Sequence, residues 1–144
     1  MLRPFTAADR NAYLQMAHDF YRTDACDHVI PDSHLEKTAD SLLSGNPYAA
    51  VYLFDVDGQT VGYVLLALTW SQEGGGFTVW IDELYLLPQY RGQGLATELF
   101  RQLPKLYPEA TRFRLEAAPD NHRAMALYRR LGFETLNYQQ FVLE

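Results

Sequence analysis

Apolar positions along the chain follow two periods, and the switch from one to the other outlines the elements. The clearest switch lies between residues 80 and 103. Residues 80–87 form an apolar run with the β-branched and aromatic types that suit a strand. Pro88, which has no N–H to donate, closes that ladder. Beyond Gly94, Leu95, Leu99 and Leu103 recur at the helical spacing. Pro104 predicts a kink or an end to that helix near Leu103.

Before this switch, residues 2–5 read as a short strand. Thr6 and Asp9 form a capping box ahead of Ala12, Tyr13, Met16, Ala17 and Phe20, which predicts a helix to about Arg22. Residues 23–32 read as a loop. Ser33 and Glu36 form a second box, opening a helix through Leu43 that Gly45 closes. Residues 48–56 and 60–70 are strands joined by an Asp57-Gly58 turn. Gly74, Gly75 and Gly76 are the tip of the next hairpin, whose second strand is residues 77–87. After the central helix, residues 111–117 alternate as a strand, and residues 121–131 are a helix with Gly132 at its end. Residues 135–143 supply one or two last strands. The order is β-α-α-β-β-β-α-β-α-β, an α/β chain with a mixed, mostly antiparallel sheet.

Composition narrows the class. A chain of 144 residues, 48% apolar and 21% charged, is expected to form one soluble globular domain over residues 1–144. One cysteine, Cys26, excludes an internal disulfide and a cysteine zinc cluster and fits a cytoplasmic location. No apolar run approaches the ~20 residues of a membrane span, and no signal-peptide core follows Met1. The net charge of −6 argues against nucleic acid and favours cationic partners.

The turn between strand and helix, Arg91-Gly92-Gln93-Gly94, carries the candidate chemistry. A glycine turn that opens a helix presents unpaired N–H groups at the positive end of the dipole, a setting for phosphate. It is not a P-loop, since no Lys follows either glycine. Nor is it a dinucleotide fingerprint, because Thr97 holds the third glycine position. Arg91-x-x-Gly94-x-Ala96 after Leu-x-Pro resembles the acetyl-CoA signature of the GNAT superfamily of N-acetyltransferases. The segment from Asn121 to Phe133 resembles that family's N-x-x-A-x-x-L-Y-x-x-x-G-F at every fixed position. The two motifs stand in the family's order and spacing and cover roughly residues 80–133.

The resemblance implies a sheet of six to seven strands flanked by four helices and splayed between the fourth and fifth strands. It implies acetyl-CoA as co-substrate. The N–H groups of Gly92, Gln93, Gly94, Leu95, Ala96 and Thr97, beside Arg91, would hold the pyrophosphate. The backbone of Leu84, Tyr85 and Leu86 would pair with the pantetheine arm, and the Leu86 N–H would face the developing oxyanion. Asn121 would touch the cofactor as well as cap its helix. Tyr128 would be the general acid for the departing thiolate; read on its own it is a core tyrosine beside Leu127 and Leu131. For the base there are two carboxylates, Glu83 on the splayed strand and Glu116 on the facing one, with a water relay as the third option. Strand alternation sends Asp82 to the face opposite Glu83.

No histidine has the spacing of a metal site or a triad, so no metal is expected, and transfer is expected to be direct. The resemblance implies a small-molecule or peptide amine as acceptor. The loop with Asp24, Asp27, His28 and Asp32 points to a small cationic or lysine-like one. A homodimer is compatible with this reading. The alternative from another class is a non-catalytic acyl-CoA-binding or sensing module on the same fold; retention of Tyr128 and Glu83 favours the enzyme.

Overall fold

The structure is a computed structural model describing residues 1–23, 26 and 28–144. Among these residues the order is β1 (Leu2–Pro4), α1 (Arg10–Phe20), α2 (Asp32–Leu43), β2 (Ala49–Val56), β3 (Gln59–Ser71), β4 (Gly76–Leu86), α3 (Leu95–Leu106), β5 (Arg112–Leu115) and α4 (His122–Arg130). Short 3-10 turns precede α1 and follow β4. The sheet has the order β1-β2-β3-β4-β5, antiparallel except for the parallel pair β4 and β5.

Most boundaries fall within two residues of those expected from the periodicity, and four expectations need correction. The sheet has five strands among the described residues, not six to seven. Residues 135–143 contribute no strand. Their apolar side chains find no buried face, with Phe141, Val142 and Leu143 at 91%, 82% and 98% exposure, so nothing sets a register. Ser33 does not cap α2, which starts one residue earlier at Asp32 after Pro31. Pro104 does not end α3, which runs on to Leu106; one missing N–H in a last turn is tolerated when the next bond, Tyr107 N to Leu103 O at 2.9 Å, still forms.

Each sheet face has its own apolar layer. Tyr13, Met16, Ala17 and Phe20 of α1 and Leu35 and Ala39 of α2 cover Leu53, Tyr63, Leu65 and Tyr85. On the other face Leu99 and Leu103 of α3 cover Val64, Leu66, Val79 and Ile81. The α4 helix and the turn after it join this side through edge-on contacts of Phe100 with Tyr128, at 5.8 Å, and with Phe133, at 5.4 Å.

Two details of β4 prepare the site. Leu65 pairs with Glu83, but Leu66 pairs with Ile81, so Asp82 is an extra residue forming a bulge. The pairing of β4 with β5 covers only Thr78 to Ile81 and stops immediately before that bulge. From Glu83 to Leu86 the strand pairs, among the described residues, with β3 alone, so the sheet is split between its fourth and fifth strands.

Gly62 sits in β3 opposite Leu86. A Cβ there would lie 2.4 Å from the Tyr85 carbonyl oxygen and 2.6 Å from Leu86 Cδ2. Gly62→Ala should therefore push β3 and β4 apart beside the split and destabilise the fold by roughly 1–3 kcal/mol. Urea denaturation showing wild-type stability for this variant would contradict that packing.

Candidate functional site

The split is lined by backbone with no strand to bond. The Leu87 N–H donates to the Val61 carbonyl at 2.9 Å, which makes residues 61 and 87 a hydrogen-bonded pair. By alternation Tyr63 and Tyr85 are another, and the pairs Gly62/Leu86 and Val64/Leu84 are not. The N–H and C=O of Leu84 and Leu86 therefore point away from β3 into the split, whereas those of Tyr85 are turned to β3. The Leu86 carbonyl accepts from Arg91 Nε at 2.8 Å, and the same guanidinium lies 5.5 Å from the centre of the Tyr85 ring. Arg91 thereby ties the loop after β4 to the strand it leaves.

That loop ends in two glycines with left-handed backbone, Gly92 at φ 75° and Gly94 at φ 84°. Gly94 is the N-cap of α3 and has no side chain to cap with, so the first N–H groups of the helix stay open to a ligand. A Cβ on Gly94 would meet nothing within 4 Å, and one on Gly92 only Arg123 Nη2 at 3.3 Å. At Gly94 the backbone is open for at least 4 Å, and at Gly92 its neighbour is a cationic side chain.

A pocket of about 490 Å³ joins Leu84, Tyr85, Leu86 and Arg91 to Asn121 and Arg123 at the start of α4. Asn121 caps α4, its Oδ1 accepting from the Ala124 N–H at 3.2 Å. Four of the anticipated cofactor contacts on β4 and its loop thus meet Asn121 in one place. Gly92 to Thr97 form the loop and first turn of α3 that follow Arg91. Arg123 adds a second cation at this end, one that the motif-based reading overlooked because it occupies a variable position of the second segment.

Tyr128 is half-buried on α4, held edge-on against Phe100 and Phe133. Burial raises its pKa above the usual 10. It lines a larger groove of about 760 Å³ next to β5, together with Phe113, Leu115 and Glu116. Glu116 lies just past the end of β5, is exposed, and accepts from Gln140 Nε2 at 2.6 Å.

Glu83 is in a different setting. It is 6% exposed, and both of its carboxylate oxygens accept from phenols, Oε2 from Tyr63 at 2.6 Å and Oε1 from Tyr21. Burial pushes its pKa up, and the two phenol hydrogen bonds partly oppose that. The bulge places it there. Ile81 belongs to the layer under α3, whereas Glu83 and Tyr85 face α1. Asp82 opens on a pocket lined by Lys37, Thr38 and Ser41 of α2 with Leu65 and Ala67. Asp82 and Glu83 therefore share a face, which corrects the alternation expected from sequence. The phenol pair was also missed: Tyr63 reads as an ordinary core residue, and only its place opposite Tyr85 beside the bulge joins it to Glu83.

Of the acidic loop, Asp24 and Asp27 lie outside the described residues; His28 and Asp32 are exposed. No group of three or more His, Cys, Asp or Glu able to hold a metal occurs among the described residues. No helix among them is long and apolar enough to cross a membrane.

The family model described as "Acetyltransferase (GNAT) family" matches residues 13–133. A putative [ribosomal protein bS18]-alanine N-acetyltransferase of Bacillus subtilis (strain 168) is 32% identical over 133 residues, spanning 89% of this chain and 81% of that protein. The thialysine N-epsilon-acetyltransferase of Mus musculus is 33% identical over 76 residues, 51% of this chain and 42% of that protein. Among solved structures, an aminoglycoside N-acetyltransferase in complex with CoA has a TM-score of 0.81 at 15% identity, with 100% of this chain and 93% of that one covered. At that identity the likeness is one of fold. The two motifs, the split sheet and the match over most of the chain lead to one conclusion: the chain belongs to the acetyltransferase (GNAT) family.

Proposed function

We propose that the protein transfers the acetyl group of acetyl-CoA directly to a primary amine. The observation that carries this is the pocket at the split, where the Leu84 backbone and the Leu86 N–H, both turned away from β3, meet the Arg91 and Arg123 cations and Asn121. An extended arm bearing amides can add to β4 as a strand would. The open N-terminus of α3 and the two arginines suit the pyrophosphate. The Leu86 N–H would stabilise the oxyanion that forms when the amine attacks the thioester carbonyl.

In this reading Glu83 is the base. Its raised pKa fits a carboxylate that takes a proton from an ammonium group. Tyr128 is the general acid for the thiolate. Burial keeps its hydroxyl protonated at neutral pH, so the proton is in place as the C–S bond breaks. Glu116, exposed and engaged with Gln140, is the weaker candidate for the base. No nucleophilic side chain is required, and the reaction needs no acyl-enzyme.

For the acceptor we propose a small cationic or lysine-like amine. The net charge of −6 supports it, as does a relative named for thialysine; the relative named for an alanine of a ribosomal protein adds a peptide amine to the candidates. The test is a panel of thialysine, neamine and a peptide beginning with alanine, each incubated with acetyl-CoA while released thiol is followed. Transfer to at least one is expected. Tight CoA binding with no transfer to any of the three would leave the non-catalytic binding module as the better description. CoA at a hundredfold excess over its dissociation constant should stabilise the fold by about 2.7 kcal/mol. Calorimetry showing no binding at millimolar CoA would remove the reading altogether.

A further inference from the structure

The buried base poses a problem of access. Glu83 is 6% exposed, and each oxygen already accepts from a phenol, so little of the carboxylate is open to an acceptor amine. The two phenols differ. Tyr63 is wholly buried in β3, beneath Tyr13 at 5.1 Å and Phe20 at 6.5 Å between ring centres. Tyr21 is half-buried at the C-cap of α1, where the chain enters the loop to α2. Its neighbours in sequence, Phe20 and Thr23, line the pocket at the split together with Leu84 and Leu86. Of the two groups on the carboxylate, Tyr21 is the one that keeps some exposure, and it lies in sequence between two residues of that pocket's lining.

We propose that Tyr21 is a catalytic residue, a proton relay between the acceptor ammonium and Glu83. This rests on the reading of Glu83 as the base. As the ammonium N–H bond breaks, its proton passes to Tyr21 Oη, and the proton already on that oxygen passes to Glu83 Oε1. The amine is left neutral with its lone pair free, the carboxylate becomes a carboxylic acid, and the phenol is regenerated. Nothing is oxidised or reduced. Burial and the adjacent Glu83 charge both push the Tyr21 pKa up, so a phenolate does not accumulate and the two transfers are concerted. The groups that bear on this pair are Tyr13 from α1, Tyr63 from β3, Asp82 from the bulge and Cys26 from the loop.

The experiment compares Tyr21→Phe, Tyr63→Phe and Glu83→Gln, using whichever of thialysine, neamine and the alanine peptide the wild type acetylates fastest. Tyr21→Phe and Glu83→Gln should each lower kcat/KM at pH 7 by about 10²-fold, the scale of general acid–base catalysis, with CoA affinity unchanged by calorimetry. Tyr63→Phe should cost less than about tenfold, since it removes a donor off the path. The Tyr21→Phe deficit should shrink as pH rises toward the acceptor's own pKa, because a neutral amine needs no relay. A packing role would give the same deficit at every pH, which would overturn the relay. Wild-type kcat/KM in Tyr21→Phe with a slow Glu83→Gln would overturn it while leaving Glu83 as the base. Wild-type kcat/KM in Glu83→Gln, or no transfer to any probe, removes the base and the relay with it.

Discussion

Gly94→Val leaves a folded protein whose CoA affinity falls by at least about 10²-fold. At φ 84° a β-branched residue is strained, at roughly 1–3 kcal/mol. That strain is not the source of the binding loss. Gly45 has the same φ of 84° and the same open surroundings, but it follows α2. Gly45→Val therefore carries a matching backbone cost without touching the split. At Gly94 the new side chain fills the approach to the first N–H groups of α3. Each charge-assisted hydrogen bond lost there is worth ~1.5–3 kcal/mol, about a ten- to hundredfold change in affinity. Calorimetric titration of both variants separates the two effects. Equal CoA affinity in the two would mean that the loop does not hold the pyrophosphate.

Tyr128→Phe is the second large effect, and it falls on turnover. On the proposed mechanism, removing the hydroxyl takes away the proton donor to the departing sulfur, so kcat should drop on the order of 10²-fold while CoA affinity holds. The ring contacts with Phe100 and Phe133 survive the change, so the fold is spared. A phenol whose pKa lies above 10 protonates a thiolate near 8.5 uphill, at about 1.4 kcal/mol per unit. Such a donor serves best when the transfer accompanies C–S cleavage. Single-turnover kinetics that isolate the chemical step decide the matter. An unchanged rate there would make Tyr128 a packing residue of α4.

The parts legible in the sequence are those where local rules and the fold agree. Apolar patterning, turn residues and helical spacing located all five strands and all four helices to within a few residues. The glycine turn and the Asn121 cap were legible because each is a backbone requirement written in a particular residue type. What could not be read is of another kind. The bulge has no residue signature, since Asp82 looks like any polar position in an alternating strand, and it reverses the facing that period two assigns. The phenols on Glu83 come from α1 and β3, 62 and 20 residues away, so no local pattern connects them. Residues 135–143 misled in the opposite sense, having strand-like composition without a surface to bury it.

The bulge also bears on what kind of change this protein can tolerate. Its extra residue comes directly after the last rung shared with β5, and a bulge bends and overtwists the strand that carries it. Without that residue β4 would run on in regular register with β3, and Glu83 and Tyr85 would keep their present facing. The straightened edge would then offer β5 further rungs to close upon. The slot is thus produced by a count of residues and not by the identity of any one of them. A shortened strand could retain every side chain named above and have nowhere for a cofactor to lie, whereas exchanging Asp82 for another residue would leave the opening in place.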